Sequence, residues 1–179
     1  MSIMKTPNIT DSLLRVLVFC MFIMPTMSAG YTYSNAADDE TAKLRMNIVK
    51  EARRYLGTNY KFGGQKPSGF DCSGFTSHVF NSALGIQIKR TSAEQSKAGK
   101  LKPMAELRAG DLVFFGDKNG KVNHVAIVVR NSSKNLVVIH STSSGGVMLE
   151  DLNYSNYWQE KLLYGVDVLG HHNVHDDSI

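Results

Sequence analysis

The sequence predicts an α+β fold in which N-terminal helices pack on a roughly five-stranded antiparallel sheet. Two observations lead there. In the first half of the chain apolar residues recur at helical spacing, most clearly Phe75, Val79, Phe80, Ala83 and Leu84. After Gly110 the texture changes to short β-branched runs divided by turn residues. Helices therefore precede strands as a block instead of alternating with them, the order expected when helices lie against an antiparallel sheet.

Residues 1–30 read as a secretory signal peptide. Lys5 and Arg15 supply positive charge, Val16 to Met27 is an apolar run, and Pro25 with Ser28, Ala29 and Gly30 suits a cleavage region. The run is short for a membrane span. The alternatives are an uncleaved anchor and lipidation at Cys20, but Phe19 stands where a lipoprotein signal needs a small residue. Residues 31–40 then form a small, polar, flexible leader, 41–170 a single domain and 171–179 a polar tail. Removing residues 1–30 leaves 149 of the 179 residues, enough for one domain with a core. It takes away two positive charges and one negative, so the formal charge falls from +4 to +3. That mild basicity suits an anionic polymer such as a cell wall. The basic residues are scattered without interleaved aromatics, so no nucleic-acid site is expected.

A first helix is predicted from about Asp39 to Leu56, with Ile48, Val49, Ala52, Tyr55 and Leu56 as its apolar face and Gly57 ending it. A second begins at Cys72, with Asp71 as N-cap and Gly85 as the C′ glycine. Thr91-Ser92-Ala93-Glu94 is a capping-box pattern for a short third helix to about Ala98. Strands are expected at Asp111–Phe115, His124–Arg130, Leu136–Thr142, Gly146–Leu149 and Tyr164–Leu169, with Asn119-Gly120 turning the first pair.

The chain is organised around Asn59 to Phe75. A loop containing Gly63, Gly64 and Gly69 runs into the second helix, and Cys72 sits at the join. Once Cys20 leaves with the signal, Cys72 is the sole cysteine. An exported chain with one cysteine forms no internal disulfide, so the thiol is a reactive group, an intermolecular partner or a buried structural residue. A helix N-terminus stabilises a thiolate, so the pKa of Cys72 is expected to be lowered. The glycines of this stretch, Gly74 included, are read as allowing close approach of another chain or a substrate.

A thiol nucleophile needs a base, and the base needs an orienting group. His78 falls off the apolar face of the second helix and is read as solvated. His124 and His140 lie on strands that should pair. If Arg130 pairs with Leu136, Ala126 faces His140, and the two histidines share a sheet face as diagonal neighbours within hydrogen-bonding reach. A slip of one residue would separate them. In the tail, His171, His172, His175, Asp176 and Asp177 can be drawn as a metal site, but they lack ligand spacing on a rigid element. A solvated tail is expected, with no metal and no cofactor.

Taken in order, YKFGG, FDCSGF, RTSAEQ, AGDLVFF, NHVAIVV and IHSTSSGGV, over roughly residues 45–165, resemble the NlpC-type family of bacterial cell-wall cysteine peptidases, which are papain-like with a permuted chain order. The last motif and the following YW are most similar to the Spr-like murein endopeptidases. The resemblance implies Cys72 as nucleophile, His124 as general base and His140 as orienting third member. It also implies Tyr60 and the Cys72 backbone N–H as oxyanion donors, and Asp71 and Ser73 on the substrate-binding face. The implied substrate is the stem peptide of peptidoglycan, cut either between D-glutamate and the diamino acid or at D-alanyl cross-links. Two positions depart from the pattern. Ala126 replaces the glycine usual after His-Val, and Phe62 stands where many members have Trp.

Two other functions remain open, a wall-binding module without turnover and a secreted wall-degrading toxin of the same fold. Cys, His and a polar third group favour the enzyme over the binder, which needs none of them. The expected product is an exported monomer of the periplasm or cell envelope, or a secreted one, with no stable membrane insertion after signal cleavage.

Overall fold

The structure is a computed structural model and describes residues 28–171. The signal segment up to Met27, Cys20 and the tail from His172 lie outside the described residues. The chain divides into two compact units, Met1–Glu40 and Thr41–Ile179. Helix α1 runs over Ser28–Arg53. It starts well before Asp39, and residues 31–40, expected as a flexible leader, are helical. After Gly30 that stretch holds no glycine or proline to break a helix, and its alanines favour one. No helix among the described residues is long and apolar enough to cross a membrane.

In the second unit a two-residue hairpin, β1 (Gln65–Lys66) and β2 (Gly69–Phe70), leads into α2 (Cys72–Leu84). A short α3 (Ser92–Gln95) follows. Then come β3 (Lys100–Lys102), β4 (Leu112–Gly116), β5 (Val122–Asn131), β6 (Leu136–Thr142), β7 (Gly146–Asp151), α4 (Asn156–Gln159) and β8 (Leu162–Asp167). The last six strands, all antiparallel, form one sheet in the order β3-β8-β4-β5-β6-β7. The five expected strands are present, Leu136–Thr142 with the expected ends and the other four with shifted ends. β3 is the addition, an exposed edge strand paired only with β8.

Local signals act as the sequence suggests. Asp71 caps α2 by accepting from the Gly74 N–H, and Gly85 ends it in the left-handed region at φ 71°. Thr91 and Glu94 close a capping box on α3.

The sheet has two apolar faces. Leu112, Phe114, Val125, Ile127 and Ile139 pack with Phe75, Val79 and Phe80 of α2. The alternate residues Val113, Phe115, Ala126, Val128 and Val138 form a second cluster with Leu107 and Leu152 on the other face. Buried Arg45 pairs with Asp111 and Asp167, tying the start of β4 to the end of β8. The expectation that the loop glycines admit a substrate is corrected. A Cβ on Gly64 would lie 2.2 Å from the Gly69 carbonyl, and one on Gly74 would lie 2.0 Å from the Gly64 carbonyl. The glycines let the loop pack on itself and on the first turn of α2, which fixes the position of Cys72.

Candidate active site

Cys72 is the first residue of α2 and half-buried. The backbone N–H groups of Val125, of Ser73 and of Cys72 itself act on its sulfur in favour of the thiolate. The first of these brings β5 onto the thiol at the residue following His124. Asp71 and Ser73 are buried, and neither lines the cavity in front of the thiol. The Arg90 guanidinium holds both Asp71 oxygens and donates to Ser73 Oγ at 2.9 Å. These two residues were expected on the substrate face. The helix cap and the ion pair instead engage them beside the cavity.

His124 and His140 meet as expected, with Nε2 of the first 3.1 Å from Nδ1 of the second. The route differs from the predicted one. Asn131, not Arg130, pairs with Leu136. An irregularity between Val128 and Arg130 then leaves Val129 as the extra residue, and Ile127 pairs with Ile139. Continued one step, that register sets Ala126 beside His140. His140 is wholly buried, and its Nε2 has no hydrogen-bond partner among the described residues. With Nε2 of His124 committed to His140, Nδ1 is the nitrogen left for the cleft.

Alternation puts both histidines on the sheet face opposite α2, and Trp158 of α4 covers them there. Its ring stacks on His124 at 4.5 Å and 26°, and lies 5.0 Å from His140 and 4.9 Å from Phe115. A cavity of about 640 Å³ is lined by Tyr60, Cys72, His124 and Trp158, together with the serine-rich turn after β6 and the charged Glu150 and Lys161. Tyr60 is half-buried, and its phenol is pushed up by burial and by the charges of Cys72 and Asp71.

The electrostatics correct a second expectation. The Cys72 thiol is pushed up, not down, first by burial and then by the Asp71 carboxylate, against the three N–H groups that favour thiolate. His124 is lowered to about 3 by burial and by the neighbouring His140, and His140 to about 4 by burial. The resting site is therefore a neutral thiol beside a neutral imidazole pair. His78 is a further correction. It is half-buried, 2.9 Å from the Tyr55 hydroxyl, which itself donates to Glu51, and it packs against Phe70. His78 serves the support of the loop behind Cys72 and does not enter the cavity. No cluster of metal-ligating residues occurs among the described residues. Apart from His171, the tail histidines lie outside them.

Sequence reasoning missed Trp158, Arg90, Glu150 and Lys161. A lone tryptophan just ahead of a strand and the arginine opening RTSAEQ were the available signals. Neither says which distant side chain it meets.

Comparison with known proteins identifies the family of the fold. The family model described as NlpC/P60 family matches residues 57–166. "Murein DD-endopeptidase MepS/Murein LD-carboxypeptidase" of Escherichia coli (strain K12) is 32% identical over 133 residues, covering 70% of this chain and 67% of that protein. "Gamma-DL-glutamyl hydrolase" of Bacillus subtilis (strain 168) is 37% identical over 126 residues, covering 69% of this chain and 29% of that protein. Among solved structures, the NlpC/p60 domain of the peptidoglycan hydrolase SagA superposes with a TM-score of 0.59 at 34% identity, covering 69% of this chain and 97% of that one. The chain belongs to the NlpC/P60 family.

Proposed function

We propose that the protein is a cell-wall hydrolase, a cysteine endopeptidase that cleaves amide bonds in peptidoglycan stem peptides or their cross-links through Cys72, His124 and His140. One observation carries this reading. A lone thiol at the start of a buried helix shares a cavity with a histidine whose far nitrogen is held by a second, buried histidine.

The chemistry follows from that geometry. Nδ1 of His124 takes the thiol proton as Sγ of Cys72 attacks the scissile carbonyl. The Cys72 N–H and the Tyr60 hydroxyl donate to the oxygen that becomes negative. The intermediate collapses, the C–N bond breaks, and His124 returns the proton to the departing amine, leaving a thioester. Water, deprotonated by His124, attacks the thioester and releases the acid and the thiol. Throughout, the Nε2–H of His124 donates to Nδ1 of His140, which orients the ring and spreads the imidazolium charge. Asp71 and Ser73 support the site through Arg90. No metal or other cofactor has a part in this route.

Export with removal of residues 1–30, a monomeric state and residence in the periplasm or cell envelope complete the reading. The names of the relatives, which include a murein endopeptidase, support peptidoglycan as substrate. A binding module of the same fold would have no use for the thiol–imidazole pair. The test is digestion of purified sacculi by wild type and Cys72→Ala, with the new termini identified by mass. Wild type should release fragments with new amine and carboxyl ends, and those ends identify the bond. A folded Cys72→Ala protein that digests as fast as wild type would end the cysteine-peptidase reading.

A further inference from the structure

The proposed reaction gives no part to Trp158, although its ring meets both histidines. The indole lies nearly parallel to the His124 ring, with centroids 4.5 Å apart at 26°, and meets His140 at 5.0 Å and 57°. The indole is itself held from two sides. Phe115 meets it at 4.9 Å and 63°, and Tyr157 at 4.9 Å and 85°, both in edge contacts. It packs against the apolar cluster that holds Val113, Phe115 and Leu152. The backbone around it is tied down as well. The Gln159 side-chain amide donates to the Leu152 carbonyl at 2.8 Å, and the Lys161 N–H donates to the Trp158 carbonyl at 3.2 Å. The Lys161 carbonyl in turn accepts from the N–H of Gly116, at the end of β4, at 2.8 Å. Trp158 thus stands as a fixed plate against the ring that moves the proton.

That ring needs such a plate. The χ2 torsion of a histidine is broad and soft. The hydrogen bond to His140 is made through Nε2 of His124, which lies close to the Cβ–Cγ axis about which the ring turns. Rotation therefore disturbs that bond little, while it swings Nδ1, the nitrogen left for Cys72, out of line. A flat surface stacked on the ring resists the rotation directly. The electron-rich indole face also attracts the imidazolium that His124 becomes on taking the thiol proton, and Trp is the strongest aromatic partner for a cation. We propose that Trp158 is a positioning residue of the reaction: stacked on His124, it fixes the plane in which Nδ1 faces Cys72 and favours the charged ring once the proton has moved. The inference rests on the peptidase reading for the proton transfer, but not for the stack.

Three single variants of the whole chain test it. Trp158→Phe keeps a flat ring, whereas Trp158→Leu and Trp158→Met keep apolar bulk without one. Circular dichroism and the urea midpoint check the folding of each, and Trp158→Met carries the comparison should Trp158→Leu not fold. Kinetics are measured on muropeptides, the soluble fragments that a muramidase frees from sacculi. Trp158→Phe should keep kcat within about threefold of wild type, and the other two should lose on the order of 10-fold or more, with KM changed by less than about twofold throughout. A ring that served only to touch substrate would give the opposite split, a raised KM at unchanged kcat. Alkylation of Cys72 by iodoacetamide at pH 7 reads the thiol–imidazole alignment without turnover. Its rate should fall in Trp158→Leu toward that of His124→Gln and stay near wild type in Trp158→Phe. Wild-type kcat in Trp158→Leu, alkylation of that variant at the wild-type rate, or equal losses in Trp158→Phe and Trp158→Leu overturns the positioning role and leaves the peptidase standing. Failure of the wild type to cut any muropeptide or sacculus, with alkylation still falling in the expected order, would remove the peptidase reading and keep the stack.

Discussion

Nε2 of His124 lies 3.1 Å from Nδ1 of His140, and in the proposed reaction this contact leaves Nδ1 of His124 to take the thiol proton. For Nδ1 to accept the thiol proton, the ring proton must sit on Nε2 and be donated to His140. His140 must then present a bare Nδ1, which requires it to stay neutral. Burial does this by holding its pKa at about 4.

A neutral acceptor is therefore the property to test. His140→Gln or His140→Asn offers an amide oxygen and should retain measurable turnover, whereas His140→Ala should lose on the order of 10²-fold or more. His124→Gln should be near inactive, because an amide takes up no proton. Steady-state rates on sacculi give the order. Full turnover by His140→Ala would reduce the triad to Cys72 and His124.

Asp71 sets the thiol against thiolate formation, so its charge should be visible in alkylation. Iodoacetamide should modify Cys72 slowly at pH 6 and faster as pH rises, because burial and the carboxylate both favour the protonated thiol. Asp71→Asn keeps an N-cap oxygen but removes the charge and frees Arg90. Its alkylation profile should move to lower pH. A shift to higher pH, or none, would mean that the helix start and the N–H donors outweigh Asp71.

What could be read from the chain divides by distance along it. Asp71, Gly85 and the Thr91–Glu94 box act within one turn of backbone, so residue type alone located two helix starts and one stop. The histidine pairing was legible because strand alternation is rigid, though the predicted pairing of Arg130 with Leu136 was off by one and Val129 restored it. The rest depends on contacts between distant segments. Arg90 meets Asp71 across 19 residues, and Arg45 meets Asp167 across 122. Trp158 covers histidines on two other strands. The thiol's shift was misread because the helix start is local, while burial by β5 is not. β3 carries no period, being three exposed or half-buried residues whose partner lies far down the chain.

Acid should destabilise the protein before its carboxylates titrate. The folded values of about 3 for His124 and about 4 for His140 lie below the unfolded value near 6.5. Between those limits the unfolded chain binds more protons. The stability from keeping these rings neutral is thus whole above about pH 6.5 and is lost as pH falls toward 4, on the order of 1 kcal/mol per pH unit for each ring. His78, lowered by burial, adds in the same direction. Urea midpoints between pH 7.5 and 5 should therefore fall with acidity, and less steeply in His140→Gln, which removes one titrating ring. Flat midpoints across this range would contradict the burial of the pair.

The bulge at Val129 makes the final prediction. Val128 pairs with Val138 and Arg130 with Val137, so one step on β6 faces two on β5. Beyond Val128, β5 has no ladder with β4, whose pairs run from Leu112–Ile127 to Gly116–Val122. Deleting Val129 should therefore let Arg130 continue a regular ladder, leaving Asn131 opposite Leu136 and Ile127 opposite Ile139. The two histidines should keep their contact. The cost is the packing of a half-buried valine against the α2 side of the core, about 1–2 kcal/mol. Activity should stay within about threefold of wild type, with a lowered urea midpoint. By contrast, an alanine inserted between Ile139 and His140 moves His140 to the other face, and activity should drop at least to the level of His140→Ala. If the Val129 deletion folds, as judged by its circular dichroism, yet loses activity to the same extent, the bulge positions the histidines directly and the register argument is wrong.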